Sequence, residues 1–160
     1  MKDKNYPKYA EPREHQIEHY QKVDSICTKG RVYIDTSPPG SGKTILPMWL
    51  SQKYTIPLFV ICPLSVKDRW ISVSKEYGVE LILVDSYDSL RTVKGKQPKN
   101  GYLTRIDTRT VDGNTVDFKV TDNLIELIRS GCIFVFDECH KLKNRSSQWK
   151  ACKTVVHEIL

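Results

Sequence analysis

The stretch Thr36-Ser37-Pro38-Pro39-Gly40-Ser41-Gly42-Lys43-Thr44 lies between a short apolar run, Val32-Tyr33-Ile34, and an apolar segment, Ile45-Leu46-Pro47-Met48-Trp49-Leu50. A strand, a glycine-containing turn, Gly-Lys-Thr and a helix form the context that a phosphate-binding loop requires. Backbone N–H groups of such a turn converge on phosphate oxygens. The helix start adds unpaired N–H groups and the positive end of its dipole. Gly40 and Gly42 permit positive φ and a close backbone approach. Lys43 would reach the β and γ phosphates of a nucleotide, and the Thr44 hydroxyl would sit on Mg²⁺. The common pattern G-x-x-x-x-G-K-[ST] has glycine where this chain has Ser37, and the Pro38-Pro39 pair stiffens the approach instead.

A chain of 160 residues is one domain long and can bury a core. With 39% apolar and 28% charged residues it reads as soluble and globular. Its net charge of +6 is compatible with a polyanionic partner. The five cysteines (Cys27, Cys62, Cys132, Cys139 and Cys152) form no C-x-x-C pair. They point to a reduced, intracellular protein without a disulfide frame or zinc site. His15 and His19 are four apart on an expected helix, but no third metal ligand accompanies them. The N-terminus has no signal-peptide pattern, and no apolar run approaches membrane-spanning length.

Alternation of elements runs along the chain. Residues 1–11 read as a mobile lead-in. A helix from Arg13 carries Ile17, Tyr20, Val23, Ile26 and Cys27 at helical spacing, and Gly30 closes it. A first strand is expected over 31–37 and a crossover helix over 43–53, with Pro47 in its first turn. The continuous apolar run 57–62 reads as a strand buried on both faces. A helix follows from Ser65, with Asp68 at capping-box spacing, and Gly78 stops it. A third strand spans 80–84. Residues 91–99, with Lys94, Lys96 and Lys99, read as an exposed basic loop. A β-hairpin insertion is expected near 101–120, turning at Asp112-Gly113-Asn114. Asp122 is the expected cap of a short helix ending at Gly131. The apolar run 132–136 is another buried strand, and a last helix starts at Ser146. Such alternation implies a mostly parallel α/β sheet flanked by helices, with ligands beyond the strands' carboxyl ends.

Asp137-Glu138-Cys139-His140 follows the strand that ends at Phe136. Adjacent acids at the end of a buried strand are costly unless solvated or used. The chemical reading gives Asp137 the Mg²⁺ water shell and Glu138 the role of general base toward the attacking water.

SPPGSGKT followed by DECH resembles the first RecA-like P-loop NTPase lobe of a superfamily 2 helicase or translocase. DECHKLKN is similar to the corresponding string of Swi/Snf-type DNA translocases. Ile61-Cys62-Pro63-Leu64-Ser65 with Trp70 resembles the motif that touches the nucleic-acid backbone. Pro12-Arg13-Glu14-His15-Gln16 resembles the upstream segment whose glutamine reads adenine.

The resemblance covers 12–160 and implies several roles. Gln16, Pro39, Gly40, Ser41, Gly42, Lys43 and Thr44 would bind ATP. Thr44 and Asp137 would hold Mg²⁺, and Lys43 and Glu138 would act in hydrolysis. His140 would couple the nucleotide site to its surroundings. Pro63, Leu64, Ser65 and Lys67 would contact nucleic acid, with duplex DNA favoured and RNA open. A further family motif, a Ser/Thr-Tyr, has two candidates, Asp85-Ser86-Tyr87 and the segment around Thr121. Cys139 stands where alanine is commoner. A second lobe with arginine fingers is expected in a full-length protein, so this chain alone would hydrolyse ATP slowly. The alternatives are a nucleotide-binding or adaptor fragment without motor activity, and another P-loop phosphotransferase.

Overall fold

The computed structural model describes residues 8–29, 33–35, 40–91, 101–111, 113–142 and 146–160. Gly30, most of the expected first strand, Pro39, the basic loop from residue 92 onward, Asp112 and Lys143-Asn144 lie outside them.

A buried run of five residues makes the centre. β1 (Leu58–Cys62) pairs in parallel with β2 (Leu81–Ser86) on one side and with β5 (Ile133–Phe136) on the other. The order is β2-β1-β5. Successive β1 side chains point to opposite faces, and both faces are covered, so the run shows no polar alternation. Leu58, Val60 and Cys62 pack with Met48, Trp70 and Tyr77. Those residues come from α2 (Ile45–Tyr54) and α3 (Lys67–Tyr77). Phe59 and Ile61 pack with Tyr87, Leu90, Leu124, Cys152 and Val155. These belong to α4 (Tyr87–Leu90), α5 (Asp122–Ser130) and α6 (Ser147–Ile159). β3 (Leu103–Thr110) and β4 (Gly113–Val120) form a separate antiparallel hairpin. Leu103 and Phe118 anchor the hairpin in the same core. The Lys150 ammonium donates to the Val116 carbonyl across the α6 interface (2.8 Å). α1 (Ile17–Lys29) buries Tyr20 and Val23 against Leu46 and Leu50.

Several local expectations shift. Residues 33–35 are not in a strand, and the described sheet has three strands. Ile34 is 70% exposed, and Asp35 pairs with His19 (3.3 Å). On α1, Ile17 and Cys27 are exposed, so the buried stripe is narrower than the apolar pattern. Pro47 is the third residue of α2, where an N–H has no intrahelical partner to lose. Ser65 and Asp68 form no capping box. Pro63 is extended, Leu64–Val66 form a 3-10 turn, and α3 starts at Lys67 with no side-chain cap. Thr121, not Asp122, is the residue before α5, and its hydroxyl donates to the Gly101 carbonyl (2.6 Å). Asp122 sits in the first turn, where its charge suits the helix dipole. Gly113 and Asn114 already belong to β4, because Thr110 pairs with Gly113. Ser146 caps α6 by accepting from the Trp149 N–H (3.2 Å).

Burial gives the fold an alkaline limit. It pushes the Cys62 and Cys132 thiols up to about 11 and the Cys152 thiol to about 12, from an ordinary 9.0. The Tyr20 hydroxyl is pushed to about 12, and Tyr87 is raised further, again by burial first. The folded chain therefore keeps protons that the unfolded chain releases first. Stability is full below the unfolded values and falls as pH rises through them. The urea midpoint is expected to hold up to about pH 9 and to decline steadily to pH 11. A midpoint that stays level to pH 11 contradicts these burials.

Candidate nucleotide site

The expected site residues fall on two segments. The first is the loop before α2. Gly40 and Gly42 both have positive φ, 85° and 97°. The Gly42 carbonyl accepts from the Ile45 and Leu46 N–H groups (2.8 and 3.2 Å), which starts the helix. Thr44 occupies the cap position but makes no side-chain cap bond, so its hydroxyl is not spent on the helix. Lys43 is exposed and forms no ion pair among the described residues.

Gln16 lies on this loop. Its Nε2 donates to the Ser41 carbonyl, and its Oε1 accepts from the Arg13 N–H (2.9 Å). The Tyr20 hydroxyl donates to the Gly42 carbonyl (3.4 Å). A Cβ on Gly42 would push the Gln16 amide from its place, and the φ of 97° itself favours glycine here. Gln16 thus spends half of its hydrogen-bonding capacity on the loop and its own turn. One amide proton and one lone pair remain for any further partner.

The second segment is the end of β5. The Asp137 N–H donates to the Ile61 carbonyl (2.9 Å), carrying the pairing with β1 one residue past the strand. Glu138 then adopts a left-handed conformation, φ 56° and ψ 34°. A non-glycine residue there is held by its surroundings at a cost. The turn exposes Glu138 and His140, and the His140 Nδ1 lies 3.3 Å from the Glu138 Oε2.

Asp137 is held from two other elements. The Trp70 Nε1–H donates to Asp137 Oδ2 (2.9 Å), and the Tyr87 hydroxyl donates to the Asp137 carbonyl (2.6 Å). Neither bond is evident in sequence order. A physical signal does exist: a buried indole N–H and a carboxylate at the end of a half-buried apolar strand each need a partner. Of the two candidates for the Ser/Thr-Tyr motif, Tyr87 lies against Asp137, whereas Thr121 lies at the base of the hairpin.

The same packing relates the two segments. Ile45 and Met48 of α2 share a cluster with Ile133 and Val135 of β5. The helix that begins at the loop is therefore packed on the strand that ends at Asp137. Pro63, Leu64 and Ser65 follow the end of neighbouring β1. Leu64 is 73% exposed and Ser65 is exposed. Lys67 is ion-paired with Asp85 (3.3 Å), so part of its charge is already matched. Pro39 lies outside the described residues.

The donor set fits Mg²⁺. A threonine hydroxyl and a carboxylate are hard oxygen donors, and this ion is held by one or two protein oxygens plus water and phosphate. Among the described residues no group of three or more His, Cys, Asp or Glu could hold a metal by itself.

A family model described as type III restriction enzyme, res subunit (ResIII), matches residues 9–159. The chain belongs to the ResIII family. This is a helicase-type domain family, which agrees with the parallel sheet flanked by helices. The ResIII chain is also similar to a protein of Acanthamoeba polyphaga mimivirus named "Putative ATP-dependent RNA helicase L364". Identity is 26% over 145 residues, covering 84% of this chain and 25% of that protein. The chain thus spans about a quarter of the length of that relative. No solved structure matches it. No helix among the described residues is long and apolar enough to cross a membrane.

Proposed function

We propose that this chain is the ATP-binding lobe of a nucleic-acid-dependent ATPase of the helicase or translocase type. The observation that supports the reading is the packing of α2, which starts at the glycine loop, on β5, which leads into the Asp137-Glu138 turn. The loop N–H groups and Lys43 bind the phosphates. Thr44 and Asp137 hold Mg²⁺, which offsets phosphate charge when bound. Glu138 is the general base: it is exposed, at a strand end, and on a turn that sets its direction. Gln16 braces the loop and has one donor and one acceptor left for an adenine edge. Exposed Leu64 and Ser65, with Pro63 and Lys67, lie along nucleic-acid phosphates, and His140 links Glu138 to neighbouring segments.

The DECHKLKN string favours duplex DNA, in the manner of Swi/Snf-type translocases. The mimiviral relative's name favours RNA. ATP hydrolysis by the intact protein, measured alone and with duplex DNA, single-stranded DNA and RNA, separates these. Stimulation of several-fold or more by one of them, lost as salt rises, is expected. A rate that none of the three changes would overturn the nucleic-acid reading. Stimulation by duplex without strand separation assigns translocation.

A further inference from the structure

Asp137 has less freedom than a strand-end acid normally has. Its N–H is committed to the Ile61 carbonyl and its carbonyl accepts from Tyr87. Its Oδ2 accepts from the Trp70 indole, and Oδ1 makes no hydrogen bond among the described residues. Trp70 is 2% exposed, packed in the core between α3 and the sheet. A buried indole ring cannot swing away, so its N–H direction is fixed. The carboxylate plane is fixed with it. Other groups nearby do not compete for the same oxygen: half-exposed Lys67 is turned to Asp85, and Tyr87 reaches the backbone and not the carboxylate.

We propose that Trp70 is a positioning residue for the metal. It holds Asp137 through Oδ2 and so leaves Oδ1 as the oxygen that meets the water shell of Mg²⁺. This rests on the nucleotide-site reading above. Trp70 touches neither nucleotide nor metal and acts only through Asp137. An uncharged donor is suited to the task. A lysine or arginine in its place would neutralise the carboxylate and compete with the cation, whereas an indole N–H orients the group and leaves its charge intact. Partners of this kind behind a metal ligand are typically worth about 10–100-fold in metal affinity.

The test is a calorimetric titration of ADP at a series of Mg²⁺ concentrations, and again in EDTA, on the wild-type chain and on Trp70→Phe. Phenylalanine keeps an aromatic ring and removes the N–H. The expected result is that Trp70→Phe needs roughly 10–100-fold more Mg²⁺ for the same ADP affinity, while ADP affinity in EDTA is unchanged. In an Asp137→Asn background the same substitution adds nothing. An equal loss with and without Mg²⁺ would mean that Trp70 only packs, and would overturn the proposal. So would a wild-type Mg²⁺ requirement in Trp70→Phe. If the wild-type chain itself shows no Mg²⁺-dependent nucleotide binding, the nucleotide-site reading falls and this inference with it. A second measurement uses the unaltered chain. With ¹⁵N-labelled tryptophan, the Trp70 indole resonance is expected to move on adding ADP with Mg²⁺ and to stay with ADP in EDTA. A Trp70 signal indifferent to Mg²⁺ contradicts the proposal even if the variant fails to fold.

Discussion

Glu138→Gln is expected to lower ATP hydrolysis by about 10²–10⁴-fold, the usual contribution of a general base, while leaving nucleotide affinity nearly unchanged. Glutamine keeps the shape of the side chain and the left-handed backbone of the turn, so what it removes is the charge and the proton acceptor. Single-turnover hydrolysis in the intact protein separates the two effects, because binding and chemistry are read apart. A variant that retains more than a tenth of the rate would show that Glu138 is an exposed strand-end acid with no part in the chemistry. The contact with His140 gives a second check. If His140 acts through Glu138, a His140→Ala substitution loses little further rate once Glu138 is glutamine.

Phe59→Ala is expected to cost about 3–5 kcal/mol, the range for emptying a fully buried aromatic site. Phe59 is 0% exposed on the central strand and meets Tyr102 edge-to-face and Phe134 at a tilt, with ring centroids 5.3 and 4.9 Å away. It joins the hairpin to the sheet, so truncation loosens two elements at once. Against a total stability of about 5–15 kcal/mol, such a loss leaves the chain marginal. The melting temperature should fall on the order of 10 °C. A fall of less than about 3 °C would place the stabilising core elsewhere.

Elements whose signals are local were legible in the sequence. β1 is an unbroken apolar run because α2 and α3 cover one face and α4–α6 the other. Gly78 and Gly131 end helices in positive-φ conformations, as their positions suggested. The loop from Gly40 to Thr44 and the acids at the end of β5 are contiguous strings, so they too could be read in order. What was missed depends on competition between neighbours. The Ser65–Asp68 spacing looked like a cap, but Pro63 first commits the chain to a 3-10 turn. Thr121 could have capped α5, yet its hydroxyl finds the Gly101 carbonyl, twenty residues back. Ile17 fitted the helical stripe of α1 but is 41% exposed. The bonds that hold Asp137 were invisible for a plainer reason. Trp70 and Tyr87 are 67 and 50 residues away in sequence, and only the parallel order β2-β1-β5 brings their elements to the end of β5. Lys67 shows the opposite case. Its charge suggested a phosphate contact, and the fold gives it Asp85 as a first partner.

The central claim is that the loop at Gly40–Thr44 and the turn at Asp137 form one Mg²⁺-nucleotide site. Calorimetric binding of ATP with Mg²⁺ to the wild-type chain and to Lys43→Ala tests it most directly. Lys43 is exposed and forms no ion pair among the described residues, so its loss should leave the fold intact. The account predicts saturable, Mg²⁺-dependent binding by the wild-type chain and affinity about 10–100-fold weaker in Lys43→Ala, the worth of one hydrogen bond to a charged phosphate. Equal affinity in the two proteins, or no binding by either, would contradict it.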